Sequence, residues 1–83
     1  MKKITIYSTR ICPYCVRAKN FFNKKNLEYT EIMIDQDPSL IKEMIEKSGR
    51  QSVPQIFIGD YHVGGFDDLI EHDMDGKLEG LLN

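Results

Sequence analysis

The stretch from Lys3 to Asp35 constrains the fold of this chain more than any other. Residues Lys3–Ser8 alternate apolar and polar side chains, which predicts a half-buried strand. Pro13 suits the first position of a helix that should run to about Lys25. Residues Leu27–Asp35 then return to strand character. A strand, a helix and a second strand in this order predict a β-α-β unit.

A second helix should follow this unit. Asp37 can cap it with its carboxylate, Pro38 fits just inside its start, and Gly49 fits its end. Its apolar stripe is predicted to comprise Leu40, Ile41, Met44 and Ile45.

The last third of the chain predicts a hairpin and two short helical segments. The hairpin strands are Gln55–Ile58 and Tyr61–Val63, joined by Gly59-Asp60. One helix should open at Asp67 and Asp68, and a last helical turn or two should be anchored by Leu78, Leu81 and Leu82. Together the elements predict an α/β fold, a small four-stranded mixed sheet flanked by three to four helices.

Composition and charge exclude several classes of function. A chain of 83 residues forms one domain, which we expect to span residues 1–83. No apolar run exceeds three residues and the N-terminal residues lack a secretory apolar stretch, so we expect no membrane span and a cytoplasmic location. The net charge of −2 argues against a general nucleic-acid binder.

The charges are unevenly distributed along the chain. Residues 1–26 hold seven basic side chains and no acidic one, whereas residues 27–83 hold four basic and thirteen acidic ones. Both cysteines lie in the basic part. Either the two parts neutralise each other in the fold, or the basic part favours negative charge at the cysteines.

The two cysteines, Cys12 and Cys15, lie where the first strand meets the first helix. They are too few for the disulfide framework of a small secreted domain, so we expect a catalytic, redox-sensing or metal-binding pair. As the helix cap, Cys12 can accept N–H groups without helical partners, and the helix dipole and Arg10 favour its reactive thiolate. Cys15, one turn further on, can form a disulfide with it. The pair predicts an attacking and a resolving cysteine.

Three other interpretations of the pair fit less well. A zinc site lacks a second cysteine pair, and the spacing of His62 and His72 is not that of a zinc-finger histidine pair. Haem attachment requires histidine after the second cysteine, where this chain has Val16. Two inert buried cysteines conflict with Pro13, which places Cys12 outside the first helical turn. We therefore expect no metal.

Three sequence blocks together resemble glutaredoxins over nearly the whole chain. They are I-T-I-Y-S followed by C-P-Y-C (Cys12–Cys15), S-V-P-Q-I-F-I (Ser52–Ile58) and G-G-F-D-D-L (Gly64–Leu69). The resemblance implies a thioredoxin-like fold and a dithiol enzyme that uses glutathione as co-substrate. Its substrates would be protein–glutathione mixed disulfides and protein disulfides, with Cys12 attacking and Cys15 resolving the mixed disulfide of a protein substrate.

The same resemblance implies a glutathione site. Pro54 would be a cis proline that faces the cysteines and leaves the Val53 backbone free to pair with glutathione like an added strand. From the residue alone, a trans proline that begins an edge strand is the simpler interpretation. The residues from Gly64 to Asp67, including Gly65 and Phe66, would offer N–H groups to the γ-glutamyl carboxylate.

Side chains would complete this implied site. Asp67 or Asp68 would bind the glutathione ammonium, although both can also act simply as helix caps. Tyr14 would flank the thiol. Many relatives carry a lysine where this chain has Thr9, so Arg10 is the candidate for the glycine carboxylate of glutathione.

Two further positions depart from the family pattern. Glu46 falls near a helical glutamine that some relatives use for the same carboxylate. Phe66 occupies a position that is often cysteine, so a third thiol is absent there.

Two other functions fit the same cysteine pair. A redoxin could take electrons from thioredoxin reductase for one client enzyme, although the turn Gly64–Asp68 argues for glutathione. A dimer could carry an iron–sulfur cluster between Cys12 of each chain and two glutathiones, although Pro13 and Tyr14 crowd that turn. We expect a monomer whose partners are glutathione, glutathionylated or disulfide-containing proteins and, through glutathione, glutathione reductase.

Overall fold

A computed structural model describes residues 2–83. Its four strands are β1 (Ile4–Ser8), β2 (Thr30–Met33), β3 (Gln55–Ile58) and β4 (Tyr61–Gly64). They form one sheet in the order β2-β1-β3-β4, in which β1 and β2 are parallel and the other two pairs antiparallel. The predicted four-stranded mixed sheet is confirmed.

Four helices flank the sheet, and a 3₁₀ turn follows β2. The helices are α1 (Pro13–Lys24), α2 (Pro38–Ser48), α3 (Phe66–Met74) and α4 (Lys77–Leu82), and the 3₁₀ turn spans Ile34–Gln36. The predicted caps of α2 are present. Asp37 accepts the Ser39 N–H at 2.9 Å, and Gly49 ends the helix in the left-handed region at φ 72°.

Alternating side chains of the central strands build a core on each face of the sheet. One face carries isoleucines of β1 and β3, which pack with buried residues of α1, α3 and α4: Ile4, Ile6, Ile56, Ile58, Ala18, Phe22, Leu69, Leu78 and Leu82. On the other face, Tyr7 and Phe57 pack with Met44 of α2 and with Ile34. The layers are therefore helix, sheet and helix.

The strand register brings three loops to one edge of the sheet. Tyr7 lies opposite Gln55, and Ile56 lies opposite Gly64. Because these pairs are antiparallel, the loop after β1, the loop before β3 and the turn after β4 all emerge together. This edge holds the cysteine pair.

The second strand is shorter than the predicted Leu27–Asp35, because both ends of that segment have other hydrogen-bond partners. At the start, the Leu27 N–H donates to the Phe22 carbonyl at 2.9 Å. At the end, the Asp35 carboxylate accepts the Arg10 N–H at 3.1 Å, and the chain enters the 3₁₀ turn. Only Thr30–Met33 remains in the sheet.

Two smaller predictions are also corrected. Ile41 is 40% exposed and contributes little to the apolar stripe of α2, whose buried residue is Met44. Helix α3 begins at Phe66, one residue before the predicted start, because the Asp68 carboxylate accepts the Gly65 N–H at 2.9 Å and makes Gly65 the cap.

The longest helix among residues 2–83, α1, has 12 residues, and none of the described helices could cross a bilayer.

Two glycines at helix positions should respond to alanine with opposite signs. Gly49 has φ 72°, so Gly49→Ala should destabilise the fold by about 1–2 kcal/mol through the left-handed backbone alone, since a Cβ there meets no atom within 4 Å. Gly80 lies inside α4, outside the left-handed region and with the same open space, so Gly80→Ala should stabilise by up to about 1 kcal/mol. Urea unfolding midpoints measure both. Equal effects would contradict the conformational explanation.

Candidate active site

The cysteine pair lies at the N-terminus of α1. Cys12 and Cys15 are joined by a disulfide, with Cα atoms 5.2 Å apart, a normal separation for bridged cysteines. Cys12 caps the helix, and its Sγ accepts the Cys15 N–H at 3.1 Å. The same N–H would face a Cys12 thiolate after reduction, and a hydrogen bond to the charged form stabilises it. The predicted cap position is confirmed.

The two sulfur-bearing residues differ in accessibility. Cys12 is 9% exposed and Cys15 only 1% exposed, because Cys15 lies on the buried face of α1 with Ala18 and Phe22. An incoming disulfide therefore reaches Cys12 first. This order suits attack by Cys12 and later resolution by Cys15.

The basic first third of the chain is partly neutralised in the fold. Lys19 pairs with Glu31 at 2.8 Å, and Lys25 pairs with Asp73 at 3.2 Å. The Arg17 guanidinium instead lies over the Tyr14 ring, 5.1 Å from its centroid. Lys19 and Lys25 are thus neutralised by acidic residues of the later part of the chain, whereas an effect of the basic residues on the cysteines stays a prediction.

Arg10 contacts the turn after β2 and does not lie with the other predicted binding residues. Its side chain is 79% exposed, and its Nε lies 3.7 Å from the Asp35 carboxylate. Its backbone N–H also donates to the same carboxylate at 3.1 Å. Arg10 is thus tied to the turn after β2 rather than to the other predicted binding residues.

The loop before β3 faces the cysteine pair. The Val53–Pro54 peptide is cis, as the family resemblance implied, and the interpretation as a trans proline is wrong. The Val53 carbonyl oxygen lies 3.9 Å from Cys12 Sγ. Backbone groups of this loop are therefore adjacent to the reacting sulfur.

The turn between β4 and α3 forms the opposite wall. Gly64 has φ 116°, and a Cβ at this position would collide with the Asp68 carboxylate, so the turn requires glycine here. Gly65 approaches the Pro54 carbonyl closely enough that an added Cβ would lie 3.6 Å from it. The first N–H groups of α3, including those of Phe66 and Asp67, have no acceptor within the helix and can bind an anion.

Asp68 connects the two walls. Its carboxylate accepts the Gly65 N–H at 2.9 Å and forms an ion pair with the Arg50 guanidinium at 3.0 Å. These two contacts, first the backbone hydrogen bond and then Arg50, hold the pKa of Asp68 below its usual value. Asp68 is therefore ionised at neutral pH and already paired.

An open cavity of about 300 Å³ lies between these walls. It is lined by Tyr14, Arg50, Ser52, Val53, Pro54, Gly65, Phe66, Asp67 and Asp68. Of the residues that the sequence analysis placed in the glutathione site, all but Arg10 and Gly64 line this cavity. Tyr14 and Phe66 both line the cavity, and their ring centroids are 6.3 Å apart.

Arg50 and Ser52 line the cavity but were not predicted. Arg50 lies just before the S-V-P-Q block and Ser52 begins it, so the available signal in the sequence was their proximity to Pro54. The Arg50–Asp68 pair joins residues 18 positions apart and depends on tertiary structure. Among residues 2–83, no cluster of three or more histidine, cysteine or acidic side chains is arranged to hold a metal ion.

Comparison with known proteins points to one family. The glutaredoxin family model matches residues 4–63. A glutaredoxin of Pseudomonas aeruginosa is 46% identical over 83 residues, covering 100% of this chain and 99% of the relative. Glutaredoxin 3 of Escherichia coli strain K12 is 45% identical over 82 residues, covering 99% of each chain.

Solved structures give the same result. A glutaredoxin of Brucella melitensis is 49% identical, with a TM-score of 0.86, and the match covers 99% of this chain and 89% of that one. A buckwheat glutaredoxin in complex with glutathione is 32% identical, with a TM-score of 0.88, and the match covers 98% of this chain and 76% of that one.

The low pKa of Asp68 predicts a pH effect on folding. A carboxyl group whose pKa is depressed by folding stabilises the fold above its ordinary pKa, and that stabilisation is lost as pH falls through the depressed value. Asp68→Asn should therefore unfold at a urea midpoint that falls less between about pH 5 and about pH 2 than in the parent chain.

Asp67→Asn is the matched control for this measurement. It removes the same formal charge one residue earlier, without removing any side-chain hydrogen bond found within residues 2–83. An equal change of pH slope in the two variants would show that net charge, and not the contacts with Gly65 and Arg50, is responsible.

Proposed function

Because the chain belongs to the glutaredoxin family of thiol–disulfide oxidoreductases with a thioredoxin-like fold, we propose that glutathione is the electron donor of its Cys12–Cys15 pair. The substrates would be protein–glutathione mixed disulfides and protein disulfides. The observation that carries the proposal is the cavity beside Cys12, which combines an open backbone edge at Val53 with the N-terminus of α3 and the Arg50–Asp68 pair.

The features of the cavity match the groups of glutathione. An extended peptide can pair with the backbone of Val53, and its cysteine sulfur then lies toward Cys12. The γ-glutamyl carboxylate suits the free N–H groups of α3, and its ammonium suits the acidic residues Asp67 and Asp68. Arg50 offers a cation for a carboxylate at the cavity wall, where the sequence alone had suggested Arg10.

Reduction of a glutathione mixed disulfide needs Cys12 alone. The Cys12 thiolate attacks the glutathione sulfur, a Cys12–glutathione disulfide forms, and the client thiolate leaves and takes up a proton. A second glutathione thiolate then attacks the glutathione sulfur bound to Cys12. Oxidised glutathione leaves, and the Cys12 thiolate is restored.

Reduction of a protein disulfide needs both cysteines. Cys12 attacks one client sulfur and releases the other as a thiolate. Cys15 then attacks Cys12, which releases the second client thiolate and forms the Cys12–Cys15 disulfide seen here. Two glutathione molecules return the two electrons and leave as oxidised glutathione.

We further propose that the protein acts as a monomer in the cytoplasm. Glutathione-driven reduction requires a compartment whose glutathione pool is kept reduced, through glutathione reductase. The cavity is formed by residues of a single chain, so a second copy is not needed to complete it.

A coupled assay tests the electron donor. Turnover of a small glutathione mixed disulfide should consume NADPH when glutathione and glutathione reductase are supplied, and should not when thioredoxin reductase alone is supplied. Activity only with thioredoxin reductase would contradict the proposal and indicate a dedicated electron donor. Inactivity in both mixtures, with visible absorbance after anaerobic purification, would indicate a cluster carrier instead.

Single cysteine variants test the division of roles. Cys12→Ser should abolish reduction of both substrate classes, because the remaining thiol, that of Cys15, is only 1% exposed. Cys15→Ser should retain turnover of the glutathione mixed disulfide and lose reduction of a protein disulfide, because the resolving thiol is gone. Both rates can be measured in the glutathione-coupled assay. Equal loss of both activities in Cys15→Ser would contradict the assigned roles.

A further inference from the structure

A partly buried chain of hydrogen bonds lies behind the Val53 edge of the cavity. Gln55 is fully buried, and its Nε2 donates to the Ser52 carbonyl at 3.0 Å and contacts the Ser52 hydroxyl at 3.3 Å. Its Oε1 lies 2.7 Å from His62 Nε2 on β4. We call Ser52, Gln55 and His62 the relay.

We propose that Gln55 and His62 are positioning residues that hold the Val53 backbone edge in the geometry that binds glutathione. This inference rests on the proposed function. Neither residue lines the cavity, so their action on the ligand passes through the loop that contains Val53.

The direction of every hydrogen bond in the relay follows from chemistry. The Ser52 carbonyl can only accept, so the Gln55 amide nitrogen must face it, and the amide oxygen must face His62. His62 must then donate from Nε2. Burial, followed by the charge of Arg50, holds the pKa of His62 below its usual value, so the ring is neutral at neutral pH and its one proton is on Nε2.

The loop before β3 depends on these contacts for its shape. Residues 51–54 make no backbone–backbone hydrogen bond within the part of the chain that the structure describes. Their first end is tied to α3 by the ion pair of Arg50 with Asp68, and the Gln55 side chain reaches back to Ser52 at the other end. Val53 lies between Ser52 and Gln55, the two residues that the side-chain hydrogen bond joins, and its carbonyl oxygen lies 3.9 Å from Cys12 Sγ.

His62 is held in place by the sheet. It lies on β4, opposite Phe57 of β3, and its ring stacks on Phe57 with centroids 4.9 Å apart and planes inclined by 30°. The sheet thus positions the His62 N–H, this N–H orients the Gln55 amide, and the amide holds Ser52 in the loop. Without the His62 donor, the buried Gln55 oxygen would lack its partner, and the amide would gain by rotating away from Ser52.

Two substitutions of His62 separate the hydrogen bond from ring packing. His62→Phe keeps a ring against Phe57 and removes the donor, whereas His62→Gln loses the ring and keeps an amide N–H near the position of Nε2. In the glutathione-coupled assay, His62→Phe should raise the apparent KM for a small glutathione mixed disulfide about fivefold, the factor for one ordinary hydrogen bond. Its kcat should be unchanged, and His62→Gln should resemble the parent chain.

Two further readouts do not depend on glutathione. Alkylation of reduced Cys12 by iodoacetamide should be equally fast in the parent chain and in His62→Phe, because the cysteine and its helix cap are not altered. Backbone ¹⁵N order parameters at Ser52 and Val53 should fall in His62→Phe and recover in His62→Gln. A general loss of folding would instead lower the order parameters throughout the chain and change the alkylation rate of Cys12.

Gln55→Met and Tyr7→Phe complete the set. Gln55→Met removes the hydrogen bonds to Ser52 and to His62 in a similar volume, and adding His62→Phe to it should raise the KM no further, since the two residues act in series. Tyr7 also packs on Phe57, and its hydroxyl donates to Glu43 at 2.8 Å, away from the loop. Tyr7→Phe is therefore a matched loss of one hydrogen bond and should leave the KM unchanged.

Opposite results would overturn the relay. If His62→Gln is impaired and His62→Phe resembles the parent chain, ring packing is the cause. If Tyr7→Phe raises the KM as much as His62→Phe does, any loss of packing around Phe57 is enough to raise the KM, and the relay does not explain the effect. If the parent chain shows no dependence on glutathione, the proposed function fails, and unchanged order parameters in His62→Phe would separately reject the positioning role.

Discussion

The hydrogen bond from the Cys15 N–H to the Cys12 sulfur determines where the rest of the active site must lie. It makes a sulfur atom the cap of α1, so a negative charge on that sulfur is stabilised by an N–H that has no acceptor within the helix and by the positive end of the helix dipole. The rotation of α1 is fixed by the burial of Ala18 and Phe22 against the sheet. Cys12 can then face only the edge where the loops around β3 and β4 emerge.

Local sequence patterns predicted most of the fold because the relevant forces act over a few residues. Alternation placed β1, and proline and aspartate at the helix starts placed α1 and α2. The prediction of β2 was too long because Leu27 and Asp35 bond to residues of α1 and of the loop before it. Ile41 was wrongly expected in the apolar stripe of α2, because hydrophobic spacing predicts which side of a helix faces the core but not how far the residues packed against that side extend.

The cavity beside Cys12 was predictable only where family motifs mark it. The blocks around Pro54 and Gly64 located two walls, and glycine at Gly64 has a physical reason, since any Cβ would displace Asp68. Arg50 was missed because an exposed arginine gives no local signal of its partner, and Arg10 was proposed because it is next to Thr9, where many relatives carry a lysine. In the structure Arg10 pairs with Asp35, which chain topology, and not local pattern, brings near.

In the proposed glutathione site, the Arg50–Asp68 pair offers partners for a ligand that carries both charges. The pair is partly exposed, with 49% of the Arg50 side chain and 35% of the Asp68 side chain accessible, so water can solvate either group while a ligand takes the place of its partner. A γ-glutamyl group carries an ammonium and a carboxylate on one carbon, so in this site its ammonium would pair with Asp68 and its carboxylate with the first N–H groups of α3, while Arg50 would pair with the glycine carboxylate. The Gly65 N–H keeps Asp68 oriented throughout this exchange. Selection of glutathione would then rest on the positions of these three groups more than on the strength of any one contact.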